Sequence, residues 1–390
     1  MPPQPDDTTL PEHDPSETPP PLPTQAFDAT ESPRAEADLT CDECGAPLRW
    51  SPTEGALACQ HCGARRTVAV DDATIEERPL SAASTAARGF GRDVRVMACE
   101  TCGARVTFEG PQTSSSCPFC GSPNVLAQDA NRNQIRPESL IPLEVGRQHV
   151  EEAFVRWLHR LWFRPNALKK TRGIEAIGVY VPAWTFDARV HSSWSAESGT
   201  YYHVTETYTT VEDGKPVTRT RQVRKVRWWP SWGDRRDVFD DLLVVASRGI
   251  DDGLAKKLGP FEADGLVPYS PEYLAGWRAE EYRIDLAEGW DLGRAEMEAI
   301  QRSRCAGDVP GDTHRHLRVK NEISDVRWKH VLLPMWSVTY TFRGKSYAVL
   351  VHGQSGRIVG HAPYSWVKIL LLVLAIAGAA AAIAIVAQAS

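Results

Sequence analysis

Eight of the nine cysteines fall into two copies of one pattern, CxxC, fourteen residues, CxxC: Cys41, Cys44, Cys59 and Cys62, then Cys99, Cys102, Cys117 and Cys120. Two thiolates on one tight turn can reach a single ion, and a second turn brought back by a short hairpin completes the tetrahedron that Zn2+ prefers. Gly45, Gly63, Gly103 and Gly121 each follow the second cysteine of a pair, where glycine frees the backbone to turn its amides toward sulfur. The flanks CDECGAPLRW and CETCGARVTF match as well, so the unit is an internal repeat. Disulfides and thioredoxin-like redox turns use the same residues, but four equally spaced pairs suit neither. Four cysteines leave no open coordination position, and neither set has a nearby His and Glu to activate water. His61, inside one CxxC turn, faces solvent more simply than it replaces a ligand. The expectation is two zinc ribbons with two structural Zn2+ ions, each organising a segment too small to have its own core.

A second set of residues could contact phosphate. Arg219, Arg221, Arg224, Lys225 and Arg227 run into Trp228, Trp229 and Trp232, followed by Arg235 and Arg236. Bases interleaved with aromatics suit nucleic acid or lipid headgroups. The simpler alternative is a solvated strand face with Val223 and Val226 pointing inward and the tryptophans in a core. A formal net charge of −6 speaks against a nucleic-acid footprint over the whole chain. No other constellation carries chemistry. His191, His203, His330, His352 and His361 lie singly in strand-like stretches, with no HExxH or GxSxG. Asp240 with Asp241 and Asp251 with Asp252 read as helix caps before they read as metal ligands. FRGKS at 342–346 lacks the leading glycine of a phosphate loop, and Cys305 reads as a buried, inert thiol. The chain is therefore expected not to be an enzyme, and no small-molecule substrate is inferred.

The elements that must hold these residues follow from composition and periodicity. Residues 1–38 are crowded with proline and acids, so a solvated tail is expected there, without a signal peptide. At the other end ILLLVLAIAGAAAAIAIVA, 369–387, is an unbroken apolar run of about 30 Å as a helix, enough to cross a bilayer. Tyr364 and Trp366 suit an interfacial anchor, and Lys368 and Arg357 place the N-terminal side in the cytoplasm. Small residues such as Gly378 and Ala382 would permit helix pairing, although such spacings are nearly unavoidable in so alanine-rich a run.

Between the ends, VEEAFVRWLHRLWF has a helical apolar face (Val150, Phe154, Trp157, Leu158, Leu161) that Pro165 should end. Alternating stretches follow, with hairpin turns expected at Asp213–Gly214 and Arg343–Gly344 and helices at 251–258 and 292–304. YVPAW (180–184) and LLPMW (332–336) form a fainter repeat, each followed by an alternating strand; a proline at a strand start suggests sheet edges. The expected fold is α+β: a tail at 1–38, ribbons at 39–70 and 96–127 joined by a linker at 71–95, an antiparallel-sheet body at 137–364 and one transmembrane helix at 367–388.

The ribbon pair, YVPAWTFD, PEYLAGW and above all LLPMWSVTYTFRGKSYAVLVHGQSGRIVGHAPYSWVKI resemble a bacterial family of membrane proteins with tandem zinc ribbons similar to those of transcription factor IIB. The resemblance runs from about Cys41 to the apolar run. Its members are often labelled as similar to the primosomal helicase, but the helicase ATPase motifs are absent here. Relatives carry Asn where this chain has His352. The resemblance implies that the eight cysteines are functional and that partners resemble membrane-stress proteins such as phage-shock protein A or flotillins. The expected function is a tail-anchored adaptor at the cell membrane, with N-terminus and body cytoplasmic, that recruits protein partners without catalysis. The alternative is a nucleic-acid-binding protein of replication or transcription that uses the ribbons and the Arg/Trp hairpin.

Overall fold

The computed structural model describes residues 39–68, 75–90, 94–108, 116–170, 174–212 and 215–389. The acidic tail and the Asp213–Gly214 turn lie outside these residues. The first cysteine set sits on a three-stranded sheet, β1 (Leu48–Ser51), β2 (Ala56–Cys59) and β3 (Arg65–Arg66), in that order. The connection after it is not a free linker, because β4 (Arg78–Pro79) pairs with the body and a 3-10 turn at Leu80–Thr85 buries Ala83. The second cysteine set lies on β5 (Arg95–Cys99), β6 (Arg105–Phe108) and β7 (Val125–Asp129), ordered β6-β5-β7.

The body is built from one unit used twice. The first unit runs β8 (Ser139–Leu140), α1 (Arg147–Arg160), β9 (Glu175–Glu212) and β10 (Lys215–Val245). After α2 (Asp252–Leu258) and the short β11 (Val267–Pro268), the second unit repeats that order. It comprises β12 (Arg278–Ala279), α3 (Leu286–Asp308), β13 (Thr313–Phe342) and β14 (Lys345–His352). β15 (Ile358–Gly360) and α4 (Trp366–Ala389) end the chain. The sheet order β10-β9-β13-β14-β15 puts the two long strands side by side and antiparallel.

YVPAW and LLPMW face each other there, with Val181 opposite Leu333. This makes a local two-fold axis, and contacts are exchanged across it. Trp184 Nε1 donates to Ile284 O, just before α3, at 2.9 Å, and Trp336 Nε1 donates to Val145 O, just before α1, at 2.8 Å. β12 runs parallel to β9 at Val179–Tyr180, and β8 runs parallel to β13 at Val331–Leu332. The motifs thus occupy the centre of the sheet, not its edges. Pro182 and Pro334 are tolerated because each lies where the outer neighbour changes, from β12 to β10 and from β8 to β14, so the missing N–H interrupts no ladder.

α1 follows its apolar spacing, burying Val150, Phe154 and Leu158, but stops at Arg160, short of Pro165. α3 starts earlier and ends later than its periodicity suggests. Asp285 caps it by accepting from Glu288 N, and Gly289 and Gly293 lie under Trp184 and Phe186, too close for any Cβ. The turn at Arg343–Gly344 forms as expected, with φ of 52° and 75° in a two-residue hairpin.

Candidate metal centres and the basic arm

In each cysteine set the four Sγ atoms lie within 4.8 Å of one another. Cys41 to Cys62 and Cys44 to Cys59 are 3.6 Å apart; Cys99 to Cys120 is 3.7 Å and Cys102 to Cys117 is 3.6 Å. A tetrahedron with Zn–S near 2.3 Å has edges of about 3.8 Å, so both sets fit Zn2+. One turn geometry is used four times: the first cysteine's C=O accepts from the glycine N–H, as in Gly45 to Cys41 at 2.8 Å and Gly121 to Cys117 at 2.8 Å. Those glycines have φ between 69° and 78°, the left-handed region that a Cβ disfavours. The Cys102 thiol and then the N–H groups of Cys120 and Phe119 hold Cys117 down at about 5, while Cys102 is pushed up by that same hydrogen bond and by burial. The N–H groups of Cys62 and His61 hold Cys59 at about 6. Thiols competing for protons in so small a space are set up for a divalent cation to displace those protons.

Neither ribbon stands free of the body. In the first, Trp50 Nε1 donates to Leu143 O at 3.1 Å, Trp277 Nε1 donates to Trp50 O at 2.9 Å, and the Trp50 ring meets Tyr273 edge-on at 4.8 Å. In the second, Thr107 Oγ1 accepts from Ala279 N at 2.8 Å, Arg105 pairs with Glu281 at 2.6 Å, and Phe119 is buried with Val179, Val181 and Leu350. Glu280, at that interface, is fully buried. Ser247 Oγ donates to its Oε1 at 2.8 Å, Oε2 has no partner, and burial pushes the carboxyl up to about 8.

Sequence reasoning did not find a third cluster. Glu77, Asp187 and Asp241 bring carboxylates within 4.8 Å, and the buried Lys329 ammonium lies 3.0 Å from Glu77 and 2.7 Å from Asp241, where a cation would sit. Asp241 does not cap a helix. It stands in a bulge of β10 with φ of 52°, and its N–H donates to Asp187 at 2.7 Å. Burial pushes Asp187 up to about 7, and its hydrogen bond to Glu77 helps, with Lys329, to hold Glu77 low against burial. Asp251, by contrast, caps α2 by accepting from Leu254 N at 2.9 Å.

The basic run lies on an arm. β13 begins opposite Gly199, so β9 beyond that residue and β10 before Trp228 continue as a two-stranded ribbon. The register places Arg219, Arg221, Lys225, Arg227 and Trp229 on one face with Tyr202, Glu206 and Tyr208, and Arg224, Trp228 and Trp232 on the other. Arg221 and Lys225 pair with Glu206 at 3.3 and 3.0 Å, Arg224 lies 4.3 Å over Tyr201, Arg227 5.4 Å over Tyr202, and Arg315 of β13 4.2 Å over Trp228. The tryptophans are not a core: Trp232 is 77% exposed, and Val223 and Val226 fall on opposite faces.

Of the single histidines, His330 and His352 are buried in the body, while His203 and His361 are exposed and His191 is half-exposed, 3.6 Å from Asp234. His330 is buried with Nδ1 2.9 Å from Ile135 O and is driven down to about 4 by burial, and His352 stacks on Phe261 at 3.9 Å. Cys305 is buried in α3, which raises its thiol. α4 is long and apolar enough to cross a membrane, and none of Trp366–Ile383 is buried against the body.

The chain is similar to a Bacillus subtilis (strain 168) protein named "Uncharacterized protein YdjG", with 26% identity over 334 residues, 84% of this chain and 91% of that protein. No protein-family model matches the chain, and no solved structure matches it.

Proposed function

We propose that the chain is a tail-anchored, cytoplasm-facing adaptor of the tandem zinc-ribbon membrane type, without catalysis, in which α4 holds the bilayer and the arm engages a protein partner. The observation that carries this reading is the separation of the two along one sheet. The first residues of β9 lie against α1, where Arg147 donates to Ala176 O at 2.8 Å, and the arm starts roughly 24 residues, or about 80 Å of strand, further on. The zinc ribbons brace the body, since their Trp50 and Phe119 are spent on it. Lys368 and Arg357 before α4 favour a cytoplasmic body, where reduced thiols remain free for zinc. The family resemblance points to partners of the membrane-stress kind. The test is a pair of deletions in cells: removing residues after Ser365 should release the chain to the soluble fraction, and replacing 200–227 by a two-residue turn should leave it membrane-bound but without its partner. A chain still in the membrane without α4, or undiminished partner recovery without the arm, refutes the assignment.

One observation favours a second reading. A two-stranded ribbon with bases concentrated on one face has the dimensions that the DNA major groove accepts. Duplex binding by the full chain in zwitterionic nanodiscs that weakens tenfold or more between 50 and 200 mM salt would support it. No binding at 50 mM would exclude it.

A further inference from the structure

We propose that the loop after α1, Leu161–Asn166, is a second membrane-contacting element that lies in the headgroup layer of an anionic bilayer beside α4. This rests on the anchor reading of α4 and extends it from a tether to a fixed seat for the body.

The loop is tied to the start of α4 at the depth where charge gives way to hydrocarbon. Lys368 is the last charged residue before the apolar run, and its Nζ donates to Trp162 O at 3.0 Å and to Asn166 Oδ1 at 2.8 Å. Ser365 N donates to Phe163 O at 2.8 Å. With about 1.5 Å rise per residue, Ser365 lies about 6 Å before Ile369 and Lys368 about 1.5 Å before it, so these ties hold the loop near that level. At that level the loop turns apolar surface outward. Trp162 is 77% exposed and Phe163 39%, next to Trp366 at 79% and Tyr364 at 61%. Exposed aromatics at one depth form the belt that membrane proteins place at the water interface. Between the loop and the helix runs a groove of about 530 Å3 lined by Trp162, Phe163, Asn166, Lys368, Leu371 and Leu372, apolar on its membrane side and basic at its top.

Charge selects the occupant. His159 and Arg160, both exposed, end α1, Arg164 stacks on Tyr364 at 3.5 Å, and Lys368 stands at the top of the groove. Bases beside an aromatic belt are drawn to an anionic leaflet.

The test places a nitroxide at residue 162 (Trp162→Cys), 375 (Ala375→Cys) or 229 (Trp229→Cys) of the full zinc-loaded chain in nanodiscs. The unsubstituted, identically treated chain gives the background. Collision with a water-soluble nickel chelate is then measured. Position 375 should be protected, 229 fully accessible, and 162 protected at least threefold relative to 229. Protection at 162 should rise when 30 mol% phosphatidylglycerol replaces phosphatidylcholine. If 375 is protected and 162 collides as freely as 229, the loop is in water and the inference fails while the anchor stands. If 375 is also accessible, the anchor reading itself fails. Protection at 162 that ignores phosphatidylglycerol overturns the anionic-headgroup assignment.

Discussion

Replacing Lys329 by methionine tests whether the carboxylate cluster is held together by that one ammonium. The side chain is 6% exposed and contacts Asp241 at 2.7 Å and Glu77 at 3.0 Å, so Lys329→Met keeps the packing and leaves three acids within 4.8 Å of one another. Breaking a buried ion pair from one side costs about 3–5 kcal/mol. Glu77 and Asp241 both retain part of their exposure, which places the expected loss at the lower end, about 3 kcal/mol at pH 8. The pH dependence has a definite sign. In the native chain Glu77 lies below its ordinary value, so its contribution is present at neutral pH and lost as pH falls through its folded pKa. Asp187, raised to about 7, opposes folding increasingly from about pH 4 to pH 7. Without the ammonium, Glu77 loses a partner that helps hold it low and Asp187 loses one that opposes its rise, so the variant regains stability on acidification and the deficit shrinks toward pH 5. Urea unfolding of the full chain in mild detergent, followed by tryptophan emission, reads this directly, because Trp328 is the strand neighbour of Lys329 and packs edge-on to Trp184 at 5.7 Å. Adding Asp241→Asn to the variant should recover at least about 1 kcal/mol at pH 8. A loss below about 1 kcal/mol, or one unchanged between pH 5 and 8, refutes the argument.

Three further outcomes are expected. Cys117→Ser should lower bound zinc from about two ions per chain to about one by elemental analysis and open 94–129 to protease, since the docking contacts at Thr107 and Arg105 depend on that ribbon; unchanged zinc would contradict the ligand assignment. Glu280→Gln should match the native chain at pH 5 and exceed it by roughly 3 kcal/mol at pH 9, because a carboxyl raised to about 8 loses stability as pH rises from about 4.5 to 8; equal stability at pH 9 would show that the carboxylate has a partner or water access. Within α3, Gly289→Ala should destabilise by about 1–3 kcal/mol, since a Cβ would lie 2.5 Å from the Trp184 ring, while Gly307→Ala, facing open space, should stabilise by about 0.5–1 kcal/mol in thermal unfolding; the reverse order would refute the packing described for α3.

The parts of this molecule that were legible in its sequence are those written in local chemistry. The cysteine spacings and following glycines specify their turns whatever surrounds them, the apolar face of α1 follows a 3.6-residue period, and α4 is a run that needs no context. The long arms are not local. Strand alternation reads the same in five residues or thirty-eight, so neither the length of β9 nor the point where β13 stops supporting it could be seen. The half-repeat YVPAW/LLPMW was visible, but its place at a central two-fold was hidden, because proline ordinarily marks an edge and the exchange of outer neighbours that admits it is a tertiary fact. The Glu77–Asp187–Asp241–Lys329 cluster joins the segment just before β4 to three different strands, one residue turned inward only by a bulge, and no spacing rule connects them.

The adaptor reading stands or falls on the arm. Photo-crosslinking in intact cells, with benzoylphenylalanine replacing Tyr208 on the basic face, should trap one discrete protein in the membrane fraction. The adduct should disappear when Arg219, Arg221, Lys225 and Arg227 are changed together to glutamine, and should be absent when the same group replaces Asn321 on the supported part of the sheet. No adduct from position 208, or one of equal yield from position 321, would contradict a partner-binding arm.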